Sequence, residues 1–235
     1  MPITVDHHVP DVTIFDGGGS VRMRLQRLRA DRFAERCTRA IFERGGSILD
    51  LGGGLRLDRR GGKVNDGNAR RYGEYLERPT VHFIVSDYTN KYAPDTVEDI
   101  HALTFADDSF DGLFCIAVLE HVYDPKKAAE EIVRVLKPGG CAFLYVPFLY
   151  RYHAHSSDYR DYFRYSKDGI AYLFRQCSSI EICPVRGLFE SLLKVTPLSG
   201  IAPLRWLARL MDECSPRMRR ISRVQTSGYN VFIKK

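Results

Sequence analysis

The residues with most chemical potential in this 235-residue chain fall into a few short segments. Asp50-Leu51-Gly52-Gly53-Gly54 joins an acid to three glycines. Glycines let a backbone pass close to a ligand with no side chain in the way. The spacing is not the dinucleotide fingerprint, because its third glycine position falls on Leu57, and no P-loop lysine follows. Phosphate binding is therefore disfavoured. Asp87 ends an apolar run, where a carboxylate can accept both hydroxyls of a ribose or simply cap a helix. Asp99-Ile100-His101 offers an acid to the exocyclic amine of an adenine and a backbone amide to a ring nitrogen. Leu119-Glu120-His121-Val122 and Leu136-Lys137-Pro138-Gly139-Gly140 complete this group. Residues 147–166 (P-F-L-Y-R-Y-H-A-H-S-S-D-Y-R-D-Y-F-R-Y-S) set His153, His155, Asp158, Asp161 and Arg164 among tyrosines. Such a wall can hydrogen-bond a polar acceptor, and aromatic faces suit sugars and cations. His153-x-His155-x-x-Asp158 also has a metal-ligand look, but no further ligand is identifiable, so a substrate wall is preferred and no metal is expected. Asp161 and Arg164, three residues apart, read as a scaffolding pair.

The elements that must position these residues alternate. Ser20 can cap a basic helix running to Arg44, which Gly45-Gly46 ends. Its Leu25, Leu28, Phe33, Cys37, Ala40 and Ile41 share an apolar side. Short apolar strands are expected over 48–51, 81–86, 112–118, 141–146, 180–185 and 229–234. Helices are expected over 68–78, from Asp124-Pro125 to Leu136, and over 166–176. Residues 1–19 read as a loose arm, 99–111 as a loop, and 187–223 as mixed apolar and basic helix. Strands alternating with helices predict a parallel sheet covered on both faces. Ligands bind such sheets beyond the carboxyl ends of the strands, near the switch point in strand order. Asp50–Gly54, Asp87, Cys115–His121 and Pro147–Arg164 all sit just past a strand.

Taken in order, D-L-G-G-G, Asp87, D-I-H, L-T-F-A-D-D-S-F-D (103–111), L-E-H-V and R-V-L-K-P-G-G resemble the class I S-adenosylmethionine-dependent methyltransferases, in their small-molecule, type-11-like branch. The likeness runs over roughly residues 47–186. It implies an α/β, Rossmann-like, seven-stranded, mostly parallel sheet with an N-terminal helix and a helical insertion before the last strand. It implies one domain: arm 1–19, basic helix 20–44, cofactor core 45–186, acceptor lid 187–224 and closing strand 225–235. It implies S-adenosyl-L-methionine as cofactor, with Asp50, Gly52, Gly53 and Gly54 shaping the methionine side. Asp87 and Tyr88 would then hold the ribose and Asp99 and Ile100 the adenine, with Cys115 and His121 nearby. Two departures stand out: Arg56 occupies the family's third glycine position, and residues 57–78 lengthen the path to Asp87.

A subgroup of these enzymes carries V-P-F-x-Y-x-Y-H followed by D-Y-x-R-[YF]-[ST], which 146–166 resembles. The subgroup implies a sugar, glycoconjugate or related metabolite as acceptor, through a hydroxyl or amine. Tyr150, Tyr152, His153, Asp158, Tyr159 and Arg164 would face it. A hydroxyl acceptor must lose a proton, and histidine is the natural base near neutral pH. The candidates are His153, His155 and His121, with His153 favoured for its place in the motif.

Composition narrows the alternatives. The formal net charge of +6 permits a nucleic-acid methyltransferase. No N-P-P-Y-type segment follows the fourth strand, however, and the arginines are not interleaved with aromatics. A non-catalytic methyltransferase-like binding protein is the other rival, left open by Arg56. The six cysteines form no C-x-x-C pair and several sit in apolar runs, as reduced core filler would. The first twenty residues hold no apolar core segment, so a cytoplasmic protein is expected. Resting of 187–211 on an anionic membrane is the less favoured reading of that segment. Oligomeric state is not legible.

Overall fold

The computed structural model describes residues 12–15, 26–53, 72–155 and 158–235. Helix α1 (Gln26–Arg44) buries Ala30, Phe33, Cys37 and Ile41, spaced three and four apart, with Phe42 beside them. This stripe packs on one face of the sheet, against Phe114, Cys141, Phe143 and Cys183. Helix α2 (Pro125–Val135) covers the opposite face. Asp124 caps it by accepting from the Lys127 amide at 3.1 Å, and Pro125 fills its first turn. It buries Ala128, Ala129, Ile132 and Val133 in the larger core cluster.

The sheet contains β1 (Val12–Ile14), β2 (Gly46–Leu51), β3 (Val81–Asp87), β4 (Thr96–Val97), β5 (Phe110–Ile116), β6 (Leu136–Pro147), β7 (Ser179–Pro184) and β8 (Gly228–Lys234). Their order is β1-β7-β8-β6-β5-β2-β3-β4, all parallel except β8, which runs antiparallel to both neighbours. From β2 the chain moves outward to β3 and β4, then returns to β5 on the other side of β2. The order therefore reverses between β2 and β5, and a crevice opens at their carboxyl ends.

The six strands expected by position are β2, β3 and β5–β8, β4 makes up the seven that the resemblance implies, and β1 is an eighth. The segment 1–19 was expected to be a loose arm, yet Val12–Ile14 pairs in parallel with Ile180–Ile182. The physical reason is the free edge of β7, whose backbone groups β1 partners, with the Phe15 ring tilted against Phe33 at 5.3 Å. The Ser20 cap, Gly54, Arg56 and most of the long 57–78 segment lie outside the described residues. Of the helix expected over 68–78, residues 72–76 are helical, and Tyr75 stacks on Phe42 at 5.3 Å. Leu136–Gly140 does more than stop α2, since β6 begins there, with an irregularity opposite Phe110–Gly112.

Helix α3 (Lys167–Leu173) precedes β7, and between β7 and β8 the chain forms a small cap of α4 (Leu188–Lys194), α5 (Ala202–Glu213) and α6 (Pro216–Val224). Asp212 of α5 is buried and ties the three latter helices together. It accepts from the Phe189 and Glu190 amides at 2.8 and 3.1 Å and from the Ser222 hydroxyl at 2.8 Å. Among the described residues, no helix is long and apolar enough to cross a membrane.

Candidate active site

The glycine turn follows β2. Gly52 has φ +66, and a Cβ there would come within 2.6 Å of Val118 Cγ2. A Cβ on Gly53 would run into the Asp50 carboxylate. Both amides bond to the Ser86 carbonyl at the end of β3, at 2.9 and 3.3 Å. The turn is thus pinned low over the strand ends, with Asp50 buried beneath it. Beside it, Ala117 at the end of β5 adopts φ +56, a left-handed conformation that costs a non-glycine residue.

A cleft of about 480 Å³ opens above this turn. Asp87, at the tip of β3, accepts from the Thr89 amide at 3.1 Å and lines the cleft with Tyr88. Asp99 and Ile100 form another stretch of wall. Burial works against ionisation of Asp99, but bonds from the His101 amide (2.9 Å) and ring (2.6 Å) hold its carboxyl below the ordinary value. The His101 Nε2 accepts from the Asp124 amide at 3.3 Å, and its ring stacks on Tyr123 at 3.9 Å.

The far wall comes from the turn after β5 and the segment after β6. His121, His153, Asp158 and Tyr159 line it, with Tyr162. Tyr162 and Phe163 donate their amides to the Glu120 carbonyl at 2.7 and 3.2 Å, which staples the two segments together. Tyr165 Oη donates to the Leu119 carbonyl at 2.7 Å. Glu120 lies 3.6 Å from His153 and raises its pKa, against a smaller opposing effect of burial, with the Arg151 carbonyl and Asp161 adding to the rise. Asp158 is 2.7 Å from Lys91 Nζ.

The structure thus gathers Gly52, Asp87, Tyr88, Asp99, Ile100, His121, His153, Asp158 and Tyr159 around one cleft. Asp50 and Gly53 support it from below. Cys115 does not reach it: the thiol is wholly buried in the core, and burial pushes its pKa far up. The side chains of Tyr150, Tyr152, His155 and Arg164 are not among those lining the cleft. Tyr152 is 72% exposed, and His155 faces outward beside Asp158 at 3.4 Å. Arg164 instead holds Asp161, bonding both carboxylate oxygens. That guanidinium, with burial opposing, pulls the Asp161 pKa down to about 2. Asp161 in turn accepts from the His153 amide at 2.8 Å. The scaffolding role read for this pair therefore includes placing His153. The sequence reading misses Tyr123, Tyr162 and Glu120. Glu120 and Tyr162 carried a signal, since they stand inside L-E-H-V and D-Y-x-R, whereas Tyr123 carried none.

The cap formed by 187–224 contributes none of the residues that line this cleft. Five of the six cysteines are buried, and Cys214 is exposed.

Residues 78–144 match the protein family described as "Methyltransferase domain". A ubiquinone biosynthesis O-methyltransferase of Erwinia tasmaniensis is 31% identical over 129 residues, 51% of this chain and 49% of that protein. A demethylmenaquinone methyltransferase of Paenarthrobacter aurescens is 43% identical over 63 residues, 27% of this chain and 20% of that protein. The chain therefore spans half or less of the length of these curated relatives. The crystal structure of a SAM-dependent methyltransferase from Archaeoglobus fulgidus superposes with a TM-score of 0.55 at 13% identity, covering 89% of this chain and 94% of that one, which is a likeness of fold. The family match over residues 78–144 and the shared fold support a class I S-adenosylmethionine-dependent methyltransferase of the type-11 kind.

Proposed function

We propose that this chain transfers a methyl group from S-adenosyl-L-methionine to a hydroxyl of a small molecule. The observation that carries this reading is the convergence of Gly52, Asp87, Asp99 and Ile100 on one cleft at the strand-order switch. The residues present fit the cofactor. The side-chain-free turn at Gly52 leaves room for close approach, Asp87 supplies two acceptor oxygens for a ribose, and Ile100 supplies an apolar surface for a purine. When bound, the cofactor supplies an activated methyl group on a sulfonium, so the protein's task is alignment and proton management. Aromatic and carboxylate groups in the walls favour a cation there.

The acceptor belongs on the His121–His153–Tyr159 side. Imidazoles and tyrosines there suit a sugar, glycoconjugate or related metabolite, with an amine as the alternative acceptor. The O-methyltransferase named among the relatives supports a hydroxyl. Residues 187–224 carry exposed Leu192, Leu198, Trp206 and Leu207 and would cover a bulkier part of the acceptor.

The test is calorimetric binding of S-adenosylhomocysteine. Asp87→Ala removes charge-assisted hydrogen bonds worth about 1.5–3 kcal/mol, so affinity should fall roughly ten- to hundredfold. Failure of the unaltered chain to bind S-adenosylhomocysteine would overturn the reading.

A further inference from the structure

Behind the acceptor wall, three side chains converge in a way the cofactor does not explain. Glu120, His121 and His153 each turn one ligand atom inward, and the three atoms lie within 4.8 Å of one another. Glu120 Oε1 is 3.6 Å from His153 Nε2 and 3.9 Å from His121 Nε2.

The proton positions follow from the outer partners. His121 Nδ1 lies 2.5 Å from the Arg160 carbonyl oxygen, and a carbonyl only accepts, so Nδ1 carries the hydrogen. His153 Nδ1 lies 3.1 Å from the Arg151 carbonyl and 3.2 Å from Asp161, so it carries one too. In the neutral rings both Nε2 atoms then present lone pairs to a carboxylate.

That carboxylate is 1% exposed, and its Oε2 has no hydrogen-bond partner among the described residues. The nearby guanidinium is committed elsewhere. Arg164 directs Nε to the Tyr150 carbonyl, Nη1 to Asp161 and the Phe163 carbonyl, and Nη2 to Asp161 and the Arg151 carbonyl. Those five bonds use all five of its N–H groups. Three lone-pair donors facing one another in a buried place are satisfied either by a proton on His153 Nε2 directed at Glu120 or by a metal cation between all three.

We propose that Glu120, His121 and His153 bind a divalent transition-metal ion of the zinc class. Two imidazoles and a carboxylate suit such an ion better than magnesium or calcium. Tetrahedral bonds of about 2.1 Å separate ligand atoms by roughly 3.4 Å. The observed separations need only modest side-chain rotation to close. The Nδ1–H bonds to Arg160, Arg151 and Asp161 are the outer contacts that fix ligand imidazoles in their metal-binding tautomer. His121 and His153 both line the cleft, so the open coordination position faces the acceptor.

The role of the ion rests on the methyltransferase reading. A metal-bound acceptor hydroxyl gives its proton to solvent water more readily. The resulting oxygen then forms a bond to the methyl carbon as the carbon–sulfur bond breaks, and sulfur keeps the electron pair. His153 then acts as a ligand rather than as the free base expected from sequence.

The experiment is a Co²⁺ titration of chelator-stripped, tag-free protein, read by visible d–d absorption, with S-adenosylhomocysteine affinity measured in parallel. One equivalent of Co²⁺ should bind, Zn²⁺ should displace it, and His121→Ala and His153→Ala should each weaken binding by at least about tenfold. His155→Ala, outside the cluster, should leave it unchanged. An unchanged cooperative urea transition shows that the variants fold. A chain that binds S-adenosylhomocysteine but takes up no stoichiometric Co²⁺ overturns the metal site and leaves the cofactor reading intact. Co²⁺ uptake that His121→Ala does not weaken also overturns it. Uptake of Co²⁺ by a chain that ignores S-adenosylhomocysteine supports the site and overturns only its role in methyl transfer.

Discussion

Arg164 shows how much a single side chain can organise. Its guanidinium joins Asp161 to three backbone carbonyls in the segment after β6, and Asp161 holds the His153 amide. The Asp161 side chain is fully buried. Removing the guanidinium would leave that carboxylate without its counter-charge, a loss of about 3–5 kcal/mol for a buried pair. Arg164→Met should therefore lower stability by roughly 3 kcal/mol in urea denaturation, since the arginine is partly exposed. Arg164→Lys should recover little of it, because an ammonium cannot span both oxygens and the carbonyls. In sequence, Asp161 and Arg164 look like any i,i+3 surface pair. Likewise Glu120 resembles an acid at a helix start. What distinguishes both is burial created by distant partners, and three-residue spacing carries no record of that.

Among the elements, those with strong local signals were legible. Asp124-Pro125 marks the start of α2, and β2, β3 and β5–β8 lie within a few residues of their expected places. β4 escaped because two residues leave no period to read, and β1 because its reason for pairing lies at the far edge of the sheet. The motif 103–111 was legible as a signature, and its physical sense is now visible. Arg134 of α2 bonds the Leu103 and Phe105 carbonyls at 2.9 and 2.8 Å and Asp107 at 2.7 Å, pinning the loop that follows Asp99 to the helix. Glu131 orients Arg134 through bonds of 2.7 and 2.8 Å and accepts from the Leu103 amide at 2.8 Å. The Arg134 guanidinium holds the Glu131 carboxyl below its ordinary value of 4.5, with burial opposing and the Leu103 amide assisting. The stabilisation is complete above pH 4.5 and is lost as pH falls through the lower folded value. Glu131→Gln should thus cost about 1–2 kcal/mol at pH 7. In denaturant melts the gap from the unaltered chain should narrow as the pH drops below 4.5. A gap that stays constant with pH would show that Glu131 contributes through shape alone.

On the scale of the molecule, chemistry and charge occupy different regions. The cleft carries Asp87, Glu98, Asp99 and Asp158, whereas the arginines that make the net charge +6 lie largely in α1 and in 186–223. The cap of α4–α6 is organised internally by Asp212 and by Glu190, which Arg209 meets at 2.8 Å. It lines none of the cleft. The cap leaves the sheet after β7 and returns at β8, and these two strands are antiparallel partners that meet at Pro184 and Tyr229. Entry and exit therefore sit side by side, and the segment is topologically a hairpin loop enlarged into three helices. Loop-closure entropy grows slowly, at about 0.6 kcal/mol per doubling of length. Replacing 187–224 by a short glycine-containing turn should preserve cooperative unfolding and keep S-adenosylhomocysteine affinity within about threefold, while abolishing selection among acceptors. On the proposed function, the cover over the acceptor can thus be exchanged as a cassette, and the cofactor cleft beneath it would be inherited whole.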